Sequence, residues 1–269
     1  MPKEKIDDLE LFYEIHGEGN PIVLIMGLSA NIDWWDPKFI NKLKKNYKII
    51  MFDNRDAGRS SKSSEKYQME DLASDTIKLM NNLNVDKADI LGISMGAMIA
   101  QEIALNYPEH VKKLILASTN CGNPKSILPS KKVLAKLTRD RKDISQEEAI
   151  EEFISLLYTE EFLENNLEKI KKTKKRMLKA PITPKAYHRQ INTLLKFNTG
   201  RRLKNIEAPT LVLHGKEDIL LPPENAGIIT DKIPDAKLKL FDGCGHALFS
   251  HKPEYLSEVV MDFLNNSSE

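Results

Sequence analysis

Two cysteines in 269 residues, Cys121 and Cys244, are too few for a disulfide framework and exclude a four-cysteine zinc site. They suit a reducing cytoplasm. The chain also lacks an excess of charge of either sign. Forty basic side chains against 39 acidic ones leave +1, so nothing in the overall balance draws it to nucleic acid or to an anionic membrane. No apolar run approaches the roughly 20 residues that span a bilayer. The N-terminal MPKEKIDDLE has no apolar core behind its lysines, so export is not expected. A phosphate-cradling GxxxxGK is missing. Gly17 and Gly19 precede an apolar run instead of following one, which excludes a dinucleotide fingerprint. No His, Asp and Glu cluster has the spacing of metal ligands. The expectation is a cytoplasmic protein that works without metal or cofactor.

What the chain does carry is a 41% hydrophobic fraction, enough to enclose the core of one large α/β domain. LELFYEIHGEG at 9–19 alternates and ends in glycines, and PIVLIMG at 21–27 is almost unbroken, so the pair reads as an outer hairpin strand and a buried central one. Short apolar runs recur at 47–53, 88–94, 111–119, 209–215 and 236–242, with helical patterns between them. Leu72, Thr76, Leu79, Met80 and Leu83 share one helical face, and Pro253 opens a last helix with Leu256, Val259, Val260 and Phe263 on one stripe. Strands alternating with helices predict a mostly parallel sheet covered on both faces.

That rhythm stops between 121 and 205, where lysine-rich amphipathic helices take over, for example with Ala149, Phe153, Leu156 and Leu157 at i, i+4, i+7 and i+8. A helical insertion in one loop of the sheet explains the break. The division expected is a core of 1–120 and 206–269 with an insertion of 121–205. Residues 121–208 hold 20 basic and 11 acidic side chains, net +9, and the remainder is net −8. Lys171 to Arg176, the densest basic run, reads as a solvated helix face.

Gly92-Ile93-Ser94-Met95-Gly96 follows the run ADILG and opens the apolar helix AMIAQEIALNY. That is the strand, nucleophile, helix context of an activated serine. The turn is too tight for side chains at the glycines, and the helix points its free N–H groups at the serine oxygen. Serine needs a base, and His246 in Asp242-Gly243-Cys244-Gly245-His246 directly follows the run KLKLF. The base needs a carboxylate to hold its tautomer. Asp218 occupies the loop after the preceding strand, with Glu217 as its competitor. An oxyanion hole would take the Met95 N–H and a second one from Met26-Gly27-Leu28-Ser29, where Leu28 is the candidate.

With these residues in place the chain resembles the α/β-hydrolase superfamily from about residue 9 to 265. The likeness rests on MGLSAN after the third strand, on Asp53-Asn54-Arg55-Asp56-Ala57-Gly58-Arg59-Ser60 after the fourth, and on the order Ser94, Asp218, His246. The resemblance implies an eight-stranded sheet and makes the insertion a cap after the sixth strand. Within the superfamily the chain looks most like small carboxylesterases, including the methylesterase and enol-lactone hydrolase branch. One departure is Met26-Gly27 where many relatives have His-Gly, which removes a side chain that would brace the oxyanion loop. The Asp53 to Ser60 segment reads as a salt-bridged brace more than a catalytic element.

The substrate pocket is expected from Trp34, Trp35, Leu220, Leu248 and Phe249, with Cys244 as a packed, inert thiol nearby. The expected partner is a small ester or lactone. A carbon–carbon hydrolase, an amidase or a cofactor-free perhydrolase would use the same three residues, and a ligand receptor could keep them with negligible turnover.

Overall fold

The computed structural model describes residues 2–266. Eight strands form one sheet: β1 (Lys3–Ile6), β2 (Leu9–His16), β3 (Asn20–Ile25), β4 (Tyr47–Phe52), β5 (Ala88–Ile93), β6 (Val111–Ala117), β7 (Thr210–Gly215) and β8 (Ala236–Phe241). Their order across the sheet is 1-2-4-3-5-6-7-8. β1 and β2 pair antiparallel, β2 runs antiparallel to β4, and every later pairing is parallel. β1 was not legible as a strand, because Lys-Glu-Lys-Ile has almost no apolar signal. It lies at the sheet edge, where charges discourage pairing with another chain.

The central strands are buried along their whole length, as continuous apolar runs require when helices cover both faces. On one face α2 (Met69–Asn82) and α3 (Met95–Asn106) pack on the sheet and on each other, and on the other α1 (Pro37–Leu43) packs against α11 (Pro253–Asn265). Every residue of α3 from Met95 to Ala104 is buried, so this helix is held rigidly behind Ser94. β7 is followed by α9 (Glu224–Thr230), and β8 by the single turn α10 (Leu248–His251).

Between β6 and β7 the chain makes α4 (Lys131–Thr138), α5 (Gln146–Leu157), α6 (Glu160–Asn165), α7 (Leu167–Met177) and α8 (Pro184–Lys196). Four of these start on a side-chain cap: Ser130, Ser145, Thr159 and Thr183 each accept a backbone N–H. A cap of this kind is worth about 1 kcal/mol. The stripe Ala149, Phe153, Leu156 and Leu157 is buried. Chain departure and return are tied by the isolated bridge Gly122–Asn198 and by the Thr199 N–H on the Cys121 carbonyl at 2.9 Å. Among the described residues no helix is long and apolar enough to cross a membrane.

Candidate active site

Ser94 stands between β5 and α3 with φ +57° and ψ −121°, a conformation that L-residues rarely adopt. The neighbouring glycines make it possible. A Cβ on Gly92 would lie 2.2 Å from the Gly96 carbonyl oxygen, and one on Gly96 would lie 2.1 Å from that of Ile25. The strained turn is therefore locked between backbone segments that no side chain could separate.

Asp218 and His246 are both buried, and His246 Nδ1 lies 2.7 Å from Asp218 Oδ2. The other oxygen, Oδ1, accepts the N–H groups of Leu220 and Leu221 at 2.9 Å each, which fixes the carboxylate plane. Burial alone would push the Asp218 pKa up. The charge and hydrogen bond of His246, with those of His214, outweigh it and hold the carboxyl well below the usual range. Glu217 instead accepts the Cys244 N–H at 3.0 Å, so it braces the loop that carries His246 and does not touch the ring.

His214 is a residue that sequence reasoning passed over as an ordinary strand end. It is fully buried, and its Nε2 lies 3.1 Å from Asp218 Oδ2 and 2.9 Å from the Leu221 carbonyl. Both partners are acceptors, so Nε2 carries the proton and donates. The four-residue spacing from Asp218 was the available signal, and only the fold of the β7 loop brings the two groups together.

Ser94 and His246 line one cavity, and among the described residues no hydrogen bond joins them. Such bonds are often long before substrate arrives. Gly27 and Leu28 lie on the same wall, with Gly27 so close that a Cβ there would sit 3.0 Å from Ser94 Cβ. Neither the Leu28 nor the Met95 N–H donates in any hydrogen bond among the described residues. The brace absent from position 26 is supplied from elsewhere. Asn54 Nδ2 donates to the Met26 carbonyl at 3.1 Å, Gln190 of α8 accepts the Ser29 N–H at 2.8 Å, and Asp53 accepts the Ile32 N–H at 2.8 Å. The Asp53 to Ser60 segment is itself tied down by the Arg55–Asp75 and Arg189–Asp56 ion pairs.

Trp34, Trp35, Leu220 and Phe249 also line the cavity. Leu248 does not, contrary to expectation. It is fully buried in the core on the α1 and α11 side, because the single turn of α10 sends it inward while Ala247, Phe249 and Ser250 face the cavity. Cys244 lies outside the lining as well, and burial pushes its thiol up to about 11. The remaining walls come from the 121–205 helices, including Leu137, Phe153, Leu157 and Met177. Ser94, Leu28 and a histidine bonded to a buried carboxylate thus line one apolar chamber, and a hydroxyl and an imidazole so placed are residue types chemically able to transfer an acyl group.

Comparison with known proteins places these features in context. The family described as alpha/beta hydrolase fold matches residues 20–253. A protein of Azorhizobium caulinodans provisionally named carbamate hydrolase RutD is 26% identical over 267 residues, covering 98% of each chain. The poly(3-hydroxyalkanoate) depolymerase of Ectopseudomonas oleovorans is 28% identical over 250 residues, 93% of this chain and 86% of that one. Among solved structures, a thermophilic esterase from Thermogutta terrifontis superposes with a TM-score of 0.82 at 26% identity, covering 95% of this chain and 93% of the other.

Proposed function

The chain belongs to the alpha/beta hydrolase fold family, and from that membership we propose that it is a serine hydrolase of carboxylic esters or lactones acting through an acyl-enzyme. The observation that carries the reading is the strained Ser94 sharing an apolar cavity with a histidine whose far nitrogen is bonded to a buried carboxylate. Ser94 Oγ attacks the carbonyl carbon while His246 Nε2 takes its proton. Asp218 steadies the imidazolium, and the Met95 and Leu28 N–H groups hold the developing oxyanion. His246 returns the proton to the leaving alkoxide, and water then repeats the cycle on the acyl-enzyme. In a lactone the leaving alcohol stays attached to the acyl group, so one product results.

The helices of 121–205 serve as a cap whose apolar residues exclude bulk water from the acyl-enzyme. An esterase and a poly(3-hydroxyalkanoate) depolymerase among the relatives support an ester substrate, while the name of the carbamate relative makes carbamates a necessary control. The test is a fluorophosphonate probe with peptide mapping, beside rates on p-nitrophenyl esters, lactones and carbamates. Labelling at Ser94 alone is expected, with Ser94→Ala lowering ester kcat by at least ~10⁴-fold in a folded protein. Label on another serine, or turnover that survives Ser94→Ala, overturns the assignment.

A further inference from the structure

A second cavity adjoins the one at Ser94, and Trp34, Phe153 and Met177 are walls of both. It lies under α5 and α8, and Arg141 lines it. Among the described residues no acidic side chain does.

Arg141 differs from its neighbours in the insertion. Arg139 is paired with Glu152, Arg189 with Asp56, and Arg202 with Glu102. Among the described residues Arg141 has no ion pair and no hydrogen bond, and its Nε is buried without a partner. Its guanidinium is held by aromatic faces, 3.7 Å from the Tyr187 ring centroid and 5.4 Å from that of Phe153. Cation–π contact positions a guanidinium but leaves its N–H donors unsatisfied. The side chain is half-buried: the packing around it lowers the Arg141 pKa, and Nε, cut off from solvent, has no acceptor. Trp34 supplies a second orphan donor, since its Nε1 is buried, unpartnered and belongs to a side chain facing both cavities.

We propose that Arg141 is the counter-ion for a carboxylate at the far end of the acyl chain, so that the preferred substrate is a monoester of a dicarboxylic acid. The carboxylate would take the Arg141 N–H groups in the second cavity while the ester carbonyl sits at Ser94 and the alkyl segment runs along Met177, past the Trp34 and Phe153 rings, whose edge contact with centroids 5.8 Å apart leaves no gap between them. The substrate class rests on the hydrolase reading above, whereas anion capture at Arg141 does not. The competing use of Arg141 is internal. Glu152 acts on it through space and has one buried oxygen, Oε2, without a partner, which makes an Arg141–Glu152 pair the alternative use of the guanidinium.

Two measurements decide between these uses. In the first, kcat/KM is compared for mono-p-nitrophenyl adipate and neutral p-nitrophenyl hexanoate in wild type, Arg141→Lys and Arg141→Met. The methionine variant should lose at least tenfold on the adipate and less than twofold on the hexanoate, with lysine in between. Equal losses on both esters, or none, overturn the proposal. The second needs no turnover. Trp34 and Trp35, the chain's two tryptophans, both line the cavity, so fluorescence of Ser94→Ala reports on it directly. Hexanoate should bind Ser94→Ala saturably and at least tenfold more weakly once Arg141→Met is added, while hexanamide should not distinguish the two. Identical hexanoate curves reject the counter-ion, as does a hexanoate loss that Glu152→Gln reproduces. If wild type ignores both esters but hexanoate still needs Arg141, the hydrolase reading fails and the anion site stands.

Discussion

Asp218 is saturated with hydrogen bonds: two backbone N–H groups on Oδ1, and His246 and His214 on Oδ2. A carboxylate so held cannot rotate, and it forces the proton of His246 onto Nδ1, leaving Nε2 free to accept from Ser94. Asparagine at 218 keeps the shape but can present an N–H where the imidazole needs an acceptor. Asp218→Asn should therefore lower ester kcat by about 10⁴-fold with little change in KM, because the wrong tautomer disables the base in every turnover. Glu217→Gln should cost far less, since Glu217 serves only the Cys244 N–H. Steady-state kinetics on one ester checks both, and a larger loss for Glu217→Gln would mean the acid has been misassigned. The meeting of Asp218 with His246 was legible from residue order and spacing. The share of His214 was not, because its spacing from Asp218 does not by itself say that the loop folds back to bring the two groups together.

At the scale of single elements, β5 carries a cost that its sequence hides. Asp89 lies inside the apolar run ADILGI, buried between strands with Oδ1 unpartnered, and burial pushes its pKa up to about 6 despite the nearby charges of Lys112 and Lys113. Unfolded, the same carboxyl titrates near 3.9. Between those values the native state binds more proton than the unfolded chain, so stability falls as pH rises from about 4 to about 6 and stays lower above that. The loss is on the order of 2 to 3 kcal/mol. Asp89→Asn removes the titration: thermal unfolding should show a higher Tm at pH 8 and an almost unchanged one at pH 4. A variant no more stable than wild type at pH 8 contradicts this account. The start of the last helix, by contrast, was legible at Pro253, and the structure adds Pro37 and Pro184 at first turns and Ser130, Ser145, Thr159 and Thr183 at caps.

For the whole molecule, the near-neutral total conceals a net +9 on 121–208 over a net −8 on the rest. Part of that opposition is spent on contacts between the two. Lys179 reaches Asp33 at 3.2 Å, Lys169 reaches Asp36 at 3.4 Å, and Arg189 and Arg202 pair with the buried Asp56 and Glu102. Most of the remaining lysines are exposed, Lys136 and Lys174 being half-buried, and they give the insertion a positive field. If that field reaches the cavity mouth, kcat/KM for an anionic ester should fall with ionic strength more steeply than for a neutral ester, as the Debye length shrinks from about 10 Å at 0.1 M to about 3 Å at 1 M. Parallel salt titrations test this. Superimposable curves would show that the lysines only solvate their helices. Because Arg141 is one half-buried cation among the many of the insertion, the salt slope should survive Arg141→Met even where the absolute rate on the anion drops.

Local pattern was enough for the strand and helix alternation, for the tight turn at Ser94 between strand and helix and for the change to helices after 121, because burial on two faces, tight turns and helix starts each impose residue types on short stretches of chain. Contacts between distant segments left no such imprint. Leu248 inside the core, Asn54 and Gln190 bracing the Met26 to Ser29 loop, His214 sharing Asp218 and Arg141 between Tyr187 and Phe153 all depend on which elements meet in space. Any of those side chains could have faced solvent with the same neighbours in sequence. Their roles follow from the packing of the helical insertion and the strand-end loops around one chamber, which periodicity and spacing do not encode.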